Sequence, residues 1–145
     1  MMNGIKAAIS ELKVYEKRKA AIVNLEERIA ILQEQYVSLR GISNSAPVMG
    51  GANRQEEAWI NNIAERGQLT TNLEIVKKLV GLIEKGLKAL SDNDRLILEL
   101  FYIDRPSDYI ERLCDKLCVE RARLYELKDR AIREFVIGMY GIVEL

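Results

Sequence analysis

The chain has 145 residues with 22 basic and 22 acidic side chains, so its formal net charge is zero. Hydrophobic residues make up 48% of it but aromatic residues only 6%, a composition typical of helical and coiled-coil proteins. No apolar run reaches the roughly 18 residues of a membrane span, and no signal peptide opens the sequence. We therefore expect an all-α, cytoplasmic protein without a membrane partner.

Residues 1–90 have the apolar spacing of two long helices separated by a loop. Over residues 3–39 apolar side chains recur every seven positions, and over residues 55–90 they alternate in steps of four and three. The seam positions are Tyr15, Ile22, Ile29 and Tyr36, then Leu25, Leu32 and Leu39, and in the second stretch Leu69, Leu73, Val76, Val80, Ile83, Leu87 and Leu90. The spacing predicts a long antiparallel coiled-coil helical hairpin.

Two details qualify this hairpin. Ile5, Ile9 and Leu12 follow a shifted phase, so the first turns are expected to pack differently from the rest. Residues 41–54 are rich in Gly, Ser and Asn and contain Pro47, which predicts a loop, and Gly41 is the expected end of the first helix. Any apolar stripe that the two helices leave uncovered would drive formation of a homodimer.

Residues 91–145 predict a second domain built from shorter helices. Ser91 or Asp92 is suited to cap the first of them, whose apolar face includes Leu96, Ile97, Leu100 and Phe101. Residues 104–107 are expected to interrupt the helix. Ser107 or Asp108 can cap the next helix, and the last helix is expected to begin near Arg121. Two short helices in this order predict a helix-turn-helix, in which the second helix can lie in the major groove of DNA.

The apolar positions of this unit match those that a helix-turn-helix must bury. They are Leu113, Leu117, Val119, Leu124 and Leu127. Cys114 supplies a small side chain where the two helices cross. Cys118 lies in the turn, where glycine is common because it adopts a positive φ without steric cost. The remaining side chains at the start of the last helix are predicted to face DNA. Arg121, Ala122, Tyr125, Glu126 and Asp129 would meet base edges, and Arg123, Lys128 and Arg130 would contact phosphates.

The same region resembles region four, the last domain of bacterial sigma factors, which recognises the promoter −35 element. The residues that carry the resemblance are Leu98, Tyr102, Leu113, Leu117, Val119, Leu124, Tyr125, Leu127, Arg130, Ala131 and Phe135, with the run LYELKDRAIREF. With its helical first part, the chain resembles small phage-encoded sigma-like regulators of the ArpU and RinA kind. The resemblance implies a phage transcription regulator that activates late genes in a bacterial host, with double-stranded DNA and RNA polymerase as partners.

The charge distribution is unfavourable for DNA binding by the second domain alone. Residues 91–145 contain 9 basic and 12 acidic side chains, a balance of −3. Because phosphate neutralisation supplies most non-specific affinity for DNA, we expect binding to need a partner or a dimer.

Two other functions stay open. A small terminase subunit for DNA packaging also joins a helix-turn-helix to helical oligomerisation elements, and it would form a ring. A coiled-coil interaction protein without DNA affinity would agree with the acidic balance. The chain has no histidine and no phosphate-binding glycine loop, and its two cysteines lack further metal ligands. We therefore expect no enzyme activity, no metal and no cofactor.

Overall fold

The computed structural model describes residues 2–43 and 51–141, and the side chains of residues 4–39 and 54–141. Over these ranges the regular structure is helical, without a strand, which confirms the all-α class. The helices are α1 (Met2–Ser43), α2 (Gly51–Lys88), α3 (Asp92–Leu98), α4 (Tyr109–Leu117) and α5 (Arg121–Tyr140), and a π-helical turn, Glu99–Ile103, follows α3. None of the helices in the described ranges is long and apolar enough to cross a membrane.

The two long helices extend further than their sequence predicted. The first continues through Gly41 to Ser43, and the second already begins at Gly51, so the expected end at Gly41 is wrong. One interior glycine costs a helix only about 1 kcal/mol relative to alanine, which is too little to end a helix of this length. The rest of the predicted loop, residues 44–50 with Pro47, lies outside the described residues.

The chain divides into two compact units, and both α1 and α2 contribute to each. The terminal unit contains residues 1–18 and 79–145, and the middle unit contains residues 19–78. Residues on both sides of the predicted domain boundary at 90 and 91 thus belong to the terminal unit. The division into a 1–90 and a 91–145 domain stays a prediction.

In the middle unit, α1 and α2 pack side by side in opposite directions. Partners of Arg28, Leu32 and Tyr36 are Glu65, Asn62 and Trp59, so residue numbers fall along α2 as they rise along α1. The Asn62 side chain is buried and donates a hydrogen bond of 2.8 Å to the Leu32 carbonyl oxygen. The Asn62 amide oxygen also accepts a hydrogen bond from Arg66 Nε at 2.8 Å. A buried amide that donates to one specific carbonyl of the facing helix fixes the register of the pair.

In the terminal unit, the first turns of α1 pack into the main hydrophobic core. Ala8 and Leu12 are fully buried there, and Ile5 and Ile9 lie against the same cluster. The other buried members come from α2, α3 and α5 and from the short connection after α2: Ile83, Leu87, Leu90, Leu98, Ala131, Ile132, Phe135, Val136 and Met139. The shifted apolar phase at the start of α1 therefore corresponds to different packing, as expected.

Side-chain capping defines the start of α3, as the sequence predicted. The Ser91 side chain accepts a hydrogen bond of 3.2 Å from the backbone N–H of Asp94. Past α3 the chain widens into the π-helical turn, which closes with a bond of 2.8 Å from the Asp104 N–H to the Glu99 carbonyl oxygen. At the start of α4, Asp108 occupies the capping position but its side chain makes no capping hydrogen bond.

Candidate functional site

The region from α3 to α5 is organised around a second hydrophobic cluster in the terminal unit. Ile97, Phe101, Leu113 and Leu124 are buried in it. The partly buried residues packed against them are Leu96, Leu100, Tyr102, Tyr109, Ile110, Cys114, Leu117, Val119 and Leu127. All five apolar positions predicted to be inside belong to this cluster, but only Leu113 and Leu124 are buried, and Leu117, Val119 and Leu127 are partly buried against it.

A three-residue connection, 118–120, joins α4 to α5 with a sharp change of direction in the backbone. Cys118 has φ 56° and ψ 47°, the one positive φ at a non-glycine residue in the part of the chain that the structure describes. Its N–H and that of Val119 both donate to the Cys114 carbonyl oxygen. Glu120 is extended, and its carbonyl oxygen accepts the first bond of α5, from Leu124.

The geometry leaves the first turns of α5 open to solvent on the side away from the cluster. Leu124 is buried, while the residues directly before and after it, Arg123 and Tyr125, are exposed. The exposed residues of the predicted site are Arg121, Ala122, Arg123, Tyr125, Glu126, Asp129 and Arg130, and Lys128 is half-buried. Seven of the eight predicted site residues therefore form an accessible surface on one helix.

Carboxylates neutralise three of the basic side chains in this surface. Arg123 pairs with Glu126 at 2.9 Å, and Lys128 pairs with Asp129 at 2.8 Å. Arg130 reaches across to Asp94 in the first turn of α3 at 3.6 Å, where the Asp94 side chain is mostly buried. An exposed pair such as Arg123–Glu126 is worth about 0–1 kcal/mol, so a phosphate can compete for Arg123.

Lys128 differs from the other basic residues because it is held within an aromatic group. Its ammonium lies 5.9 Å from the ring centre of Phe101 and 5.8 Å from that of Tyr125. Burial lowers the pKa of Lys128, but the hydrogen bond to Asp129 and the attraction of Tyr102 outweigh that effect and raise the pKa. The side chain thus fastens α5 to the residues after α3, in addition to any contact it makes outside the protein.

The aromatic group also fixes Tyr125, which is 39% exposed. The rings of Tyr125 and Phe101 meet edge to face with centres 6.0 Å apart, and Tyr109 packs on Phe101 in the same manner at 5.1 Å. A ring held in this way loses little conformational entropy when it contacts a ligand. Tyr125 is therefore a preorganised member of the surface.

Arg121 and Arg133 are the basic residues of α5 without a carboxylate partner within 4 Å among the described residues. Arg121 borders a shallow concavity of about 420 Å³ formed with Ile110, Glu111, Cys114 and Asp115. Arg133 is exposed one turn beyond Arg130. Sequence reasoning did not place Arg133 in the site, although its spacing of three from Arg130 and seven from Glu126 puts all three on one helix face.

This arrangement offers the guanidinium donors of Arg121 and Arg133, which have no carboxylate within 4 Å in the described ranges. Within the described ranges no group of three or more cysteine, aspartate or glutamate side chains is placed to hold a metal ion. Both cysteines are free thiols, Cys114 half-buried and Cys118 exposed. Compared with known proteins, the chain matches no family model, and no curated protein or solved structure is significantly similar to it.

Proposed function

We propose that this protein is a sequence-specific DNA-binding transcription regulator in which α4, the connection 118–120 and α5 form a helix-turn-helix. The observation that carries the proposal is the left-handed turn at Cys118, which sets α5 against α4 over a shared cluster and leaves the first turns of α5 exposed. In a helix-turn-helix, those first turns meet base edges in the major groove.

The roles of the side chains follow from their positions on α5. Arg121, Ala122, Tyr125, Glu126 and Asp129 are assigned to base edges, and Arg123, Lys128 and Arg130 to phosphates. Arg121 has no competing carboxylate within 4 Å in the described ranges, so it is the strongest single candidate. Arg123 would exchange a weak, exposed intramolecular pair for a phosphate, and Arg130, which is 60% exposed, would add a phosphate contact beside its pair with Asp94.

The balance of −3 over residues 91–145 and the paired side chains of α5 support a regulator that does not bind DNA tightly by itself. We propose that it acts as a homodimer, held through a coiled-coil hairpin formed by α1 and α2, and that it binds promoters together with RNA polymerase. The sigma-like residues of α4 and α5 support this part of the proposal, as do the opposed directions of α1 and α2. Late-gene activation in a phage-infected bacterial cell is the corresponding biological role.

Selection of bound fragments from phage and host genomic DNA, with and without RNA polymerase, tests this function. We expect one promoter to be enriched, and to be enriched more strongly when polymerase is present. Enrichment of a packaging-start sequence would instead identify a small terminase. Enrichment of no fragment under either condition would contradict DNA binding.

A double substitution then tests the surface. Arg121→Ala with Arg130→Ala should abolish retardation of the selected promoter, while circular dichroism shows unchanged helicity because both side chains are exposed. Lys77→Ala with Lys78→Ala is the matched control, since it removes the same charge from an exposed part of α2 and should leave binding intact. Equal retardation by wild type and the Arg121/Arg130 variant would refute the assignment.

A coiled-coil interaction protein without DNA affinity is the second candidate. The specific observation in its favour is that Arg123, Lys128 and Arg130 already have carboxylate partners. It would leave the selection empty while the chain still self-associates or binds a protein partner.

A further inference from the structure

The paired helices of the middle unit leave much of their apolar surface uncovered. Among residues 19–39 and 54–78, only Leu32 and Asn62 are buried. The predicted seam residues Ile22, Leu25 and Ile29 remain half-buried. Two helices alone cannot enclose a seam, because each covers only one side of the other.

Part of this uncovered surface forms two neighbouring grooves along one side of α1, whereas Val23, Val37, Ile60 and Ile63 are exposed outside them. The first, of about 490 Å³, lies between the helices, and its apolar walls are Ala21, Leu25, Leu69, Ile75 and Val76. The second, of about 540 Å³, continues along α1 past Ile31 to Leu39. Ile31 and Ile75 are 46% and 52% exposed, so both grooves present large aliphatic side chains to solvent.

The two grooves carry opposite charges. Arg28 borders the first groove and Glu34 borders the second. These residues lie three positions before and three positions after Ile31, which is about 4.5 Å along the helix axis in either direction. The guanidinium of Arg28 contacts Glu65 at 3.3 Å, yet the Arg28 side chain is still 49% exposed and has donors to spare.

We propose that the two grooves form one self-association surface, and that a second copy of this chain occupies it around a twofold axis at Ile31. Two antiparallel copies of α1 then place Ile31 against Ile31 and Arg28 against Glu34 of the second copy, twice. The part of α1 that lines the second groove in one copy then lies in the first groove of the other copy, and the same contact occurs again in the opposite sense. The inference rests on the homodimer of the proposed function and assigns its interface.

The same symmetry explains why Arg28 and the first groove lie on one side of Ile31, and Glu34 and the second groove lie on the other. In a twofold interface each residue contacts a different residue of the other copy unless it lies on the axis. A surface that pairs with itself must therefore hold both members of each complementary pair. The polar side chains Asn24 and Ser38, seven positions before and seven positions after Ile31, follow the same rule.

Sedimentation velocity of the full-length protein without DNA, over a series of concentrations, tests the interface. Wild type should form a dimer. Arg28→Glu or Glu34→Arg alone brings like charges together and should raise the dissociation constant at least about tenfold, whereas the two substitutions combined should restore it. Glu26→Arg is the matched control, because Glu26 faces Lys77 at 3.8 Å rather than either groove.

A crosslink tests the position of the axis. In a chain carrying Cys114→Ser and Cys118→Ser, Ile31→Cys should form a disulfide-linked dimer on mild oxidation, because a residue on a twofold axis meets itself. Val37→Cys, which is 65% exposed on another side of α1, should not. A monomer at all concentrations, a dimer indifferent to both charge reversals, or equal crosslinking at both positions would overturn the inference.

These outcomes are separable from those of the proposed function. A monomer that still binds its promoter would remove this interface and leave DNA binding intact. A dimer that responds to the charge substitutions as expected but enriches no DNA would support this interface and contradict DNA binding.

Discussion

At the scale of single residues, Cys118 has the most demanding backbone conformation. Its φ of 56° lies in the left-handed region, which costs a side chain other than glycine, asparagine or aspartate about 1–2 kcal/mol. The Cys118 thiol offers little in return, since its contact to the Asp115 carbonyl oxygen is a long 3.7 Å. The packing of α4 and α5 therefore holds the turn in place, although a cysteine by itself would avoid a positive φ.

Cys118→Gly should stabilise the protein by about 0.5–1 kcal/mol, because glycine adopts a positive φ without strain but loses more entropy on folding. Urea denaturation followed by circular dichroism measures the change. Cys118→Ala is the control: it removes the thiol but keeps the steric cost, so its free energy of unfolding should stay near that of wild type. An equal gain from both variants would show that the thiol, not the backbone, is unfavourable.

Tyr102 and Lys128 predict the response of stability to alkaline pH. Burial raises the pKa of Tyr102 above 10.0, and the hydrogen bond to Asp129 helps to raise that of Lys128 above 10.5 in spite of burial. Both groups bind their protons more tightly in the folded state. Their contribution to stability is thus complete below the unfolded values and is lost as pH rises through the folded ones.

The melting temperature should therefore fall as the pH is raised above about 10, with Tyr102→Phe losing less than wild type over the same interval because one titrating group is gone. Thermal melts at closely spaced pH values give the comparison. A fall of the same size in both proteins would assign the alkaline loss to other groups.

At the scale of elements, α2 and α5 approach closely where both carry glycine. A Cβ on Gly86 would lie 2.6 Å from Cε1 of Phe135, and one on Gly138 would lie 2.9 Å from Cβ of Ala89. Phe135 is fully buried, so it has no space to move away. The two glycines let the helices cross at a distance that any larger residue would prevent.

Gly86→Ala should destabilise the protein by about 1–3 kcal/mol through overpacking against Phe135. Gly81→Ala is a matched control on the same helix, since a Cβ there meets nothing within 4 Å, and it should stabilise by up to about 1 kcal/mol through helix propensity. Free energies of unfolding from denaturant titration should differ in sign. The close approach would be disproved if the two variants changed stability in the same direction.

At the scale of the whole molecule, burial is distributed unequally. The terminal unit contains both hydrophobic clusters, whereas among the described side chains of the middle unit only Leu32 and Asn62 are buried. Local opening is favoured where few apolar contacts must be broken. The two units are therefore expected to differ in local stability.

Hydrogen exchange followed by mass spectrometry should show faster exchange for peptides from residues 19–39 and 55–78 than for peptides from residues 79–136. Raising the protein concentration should slow exchange in the middle unit alone, because a dimer formed there covers its grooves and adds stability by mass action. Uniform protection at every concentration would contradict the unequal distribution of burial.

Local features of the sequence determined much of the fold. The spacing of apolar residues predicted the two long helices, and Ser91 predicted the start of α3. The five apolar positions from Leu113 to Leu127 all contact the second cluster, Leu113 and Leu124 as buried members and the other three as partly buried ones. Each of these signals acts over one or two helical turns, so the residues involved are neighbours in the chain. The accessible surface on α5 was predictable for the same reason, because helical periodicity fixes which residues lie opposite Leu124.

Only the tertiary structure decided which surfaces meet. Ala8 and Leu12 share a core with Phe135 and Met139, more than a hundred residues away, and Arg130 pairs with Asp94 across two helices. A periodic pattern predicts that one face of a helix is apolar. It does not predict which element covers that face, because the apolar faces of different helices are chemically alike. Three features depend on that choice: charge pairing between distant side chains, the restraint of Lys128, and the lack of a carboxylate near Arg121 within the described part of the chain. They determine how the candidate surface can act.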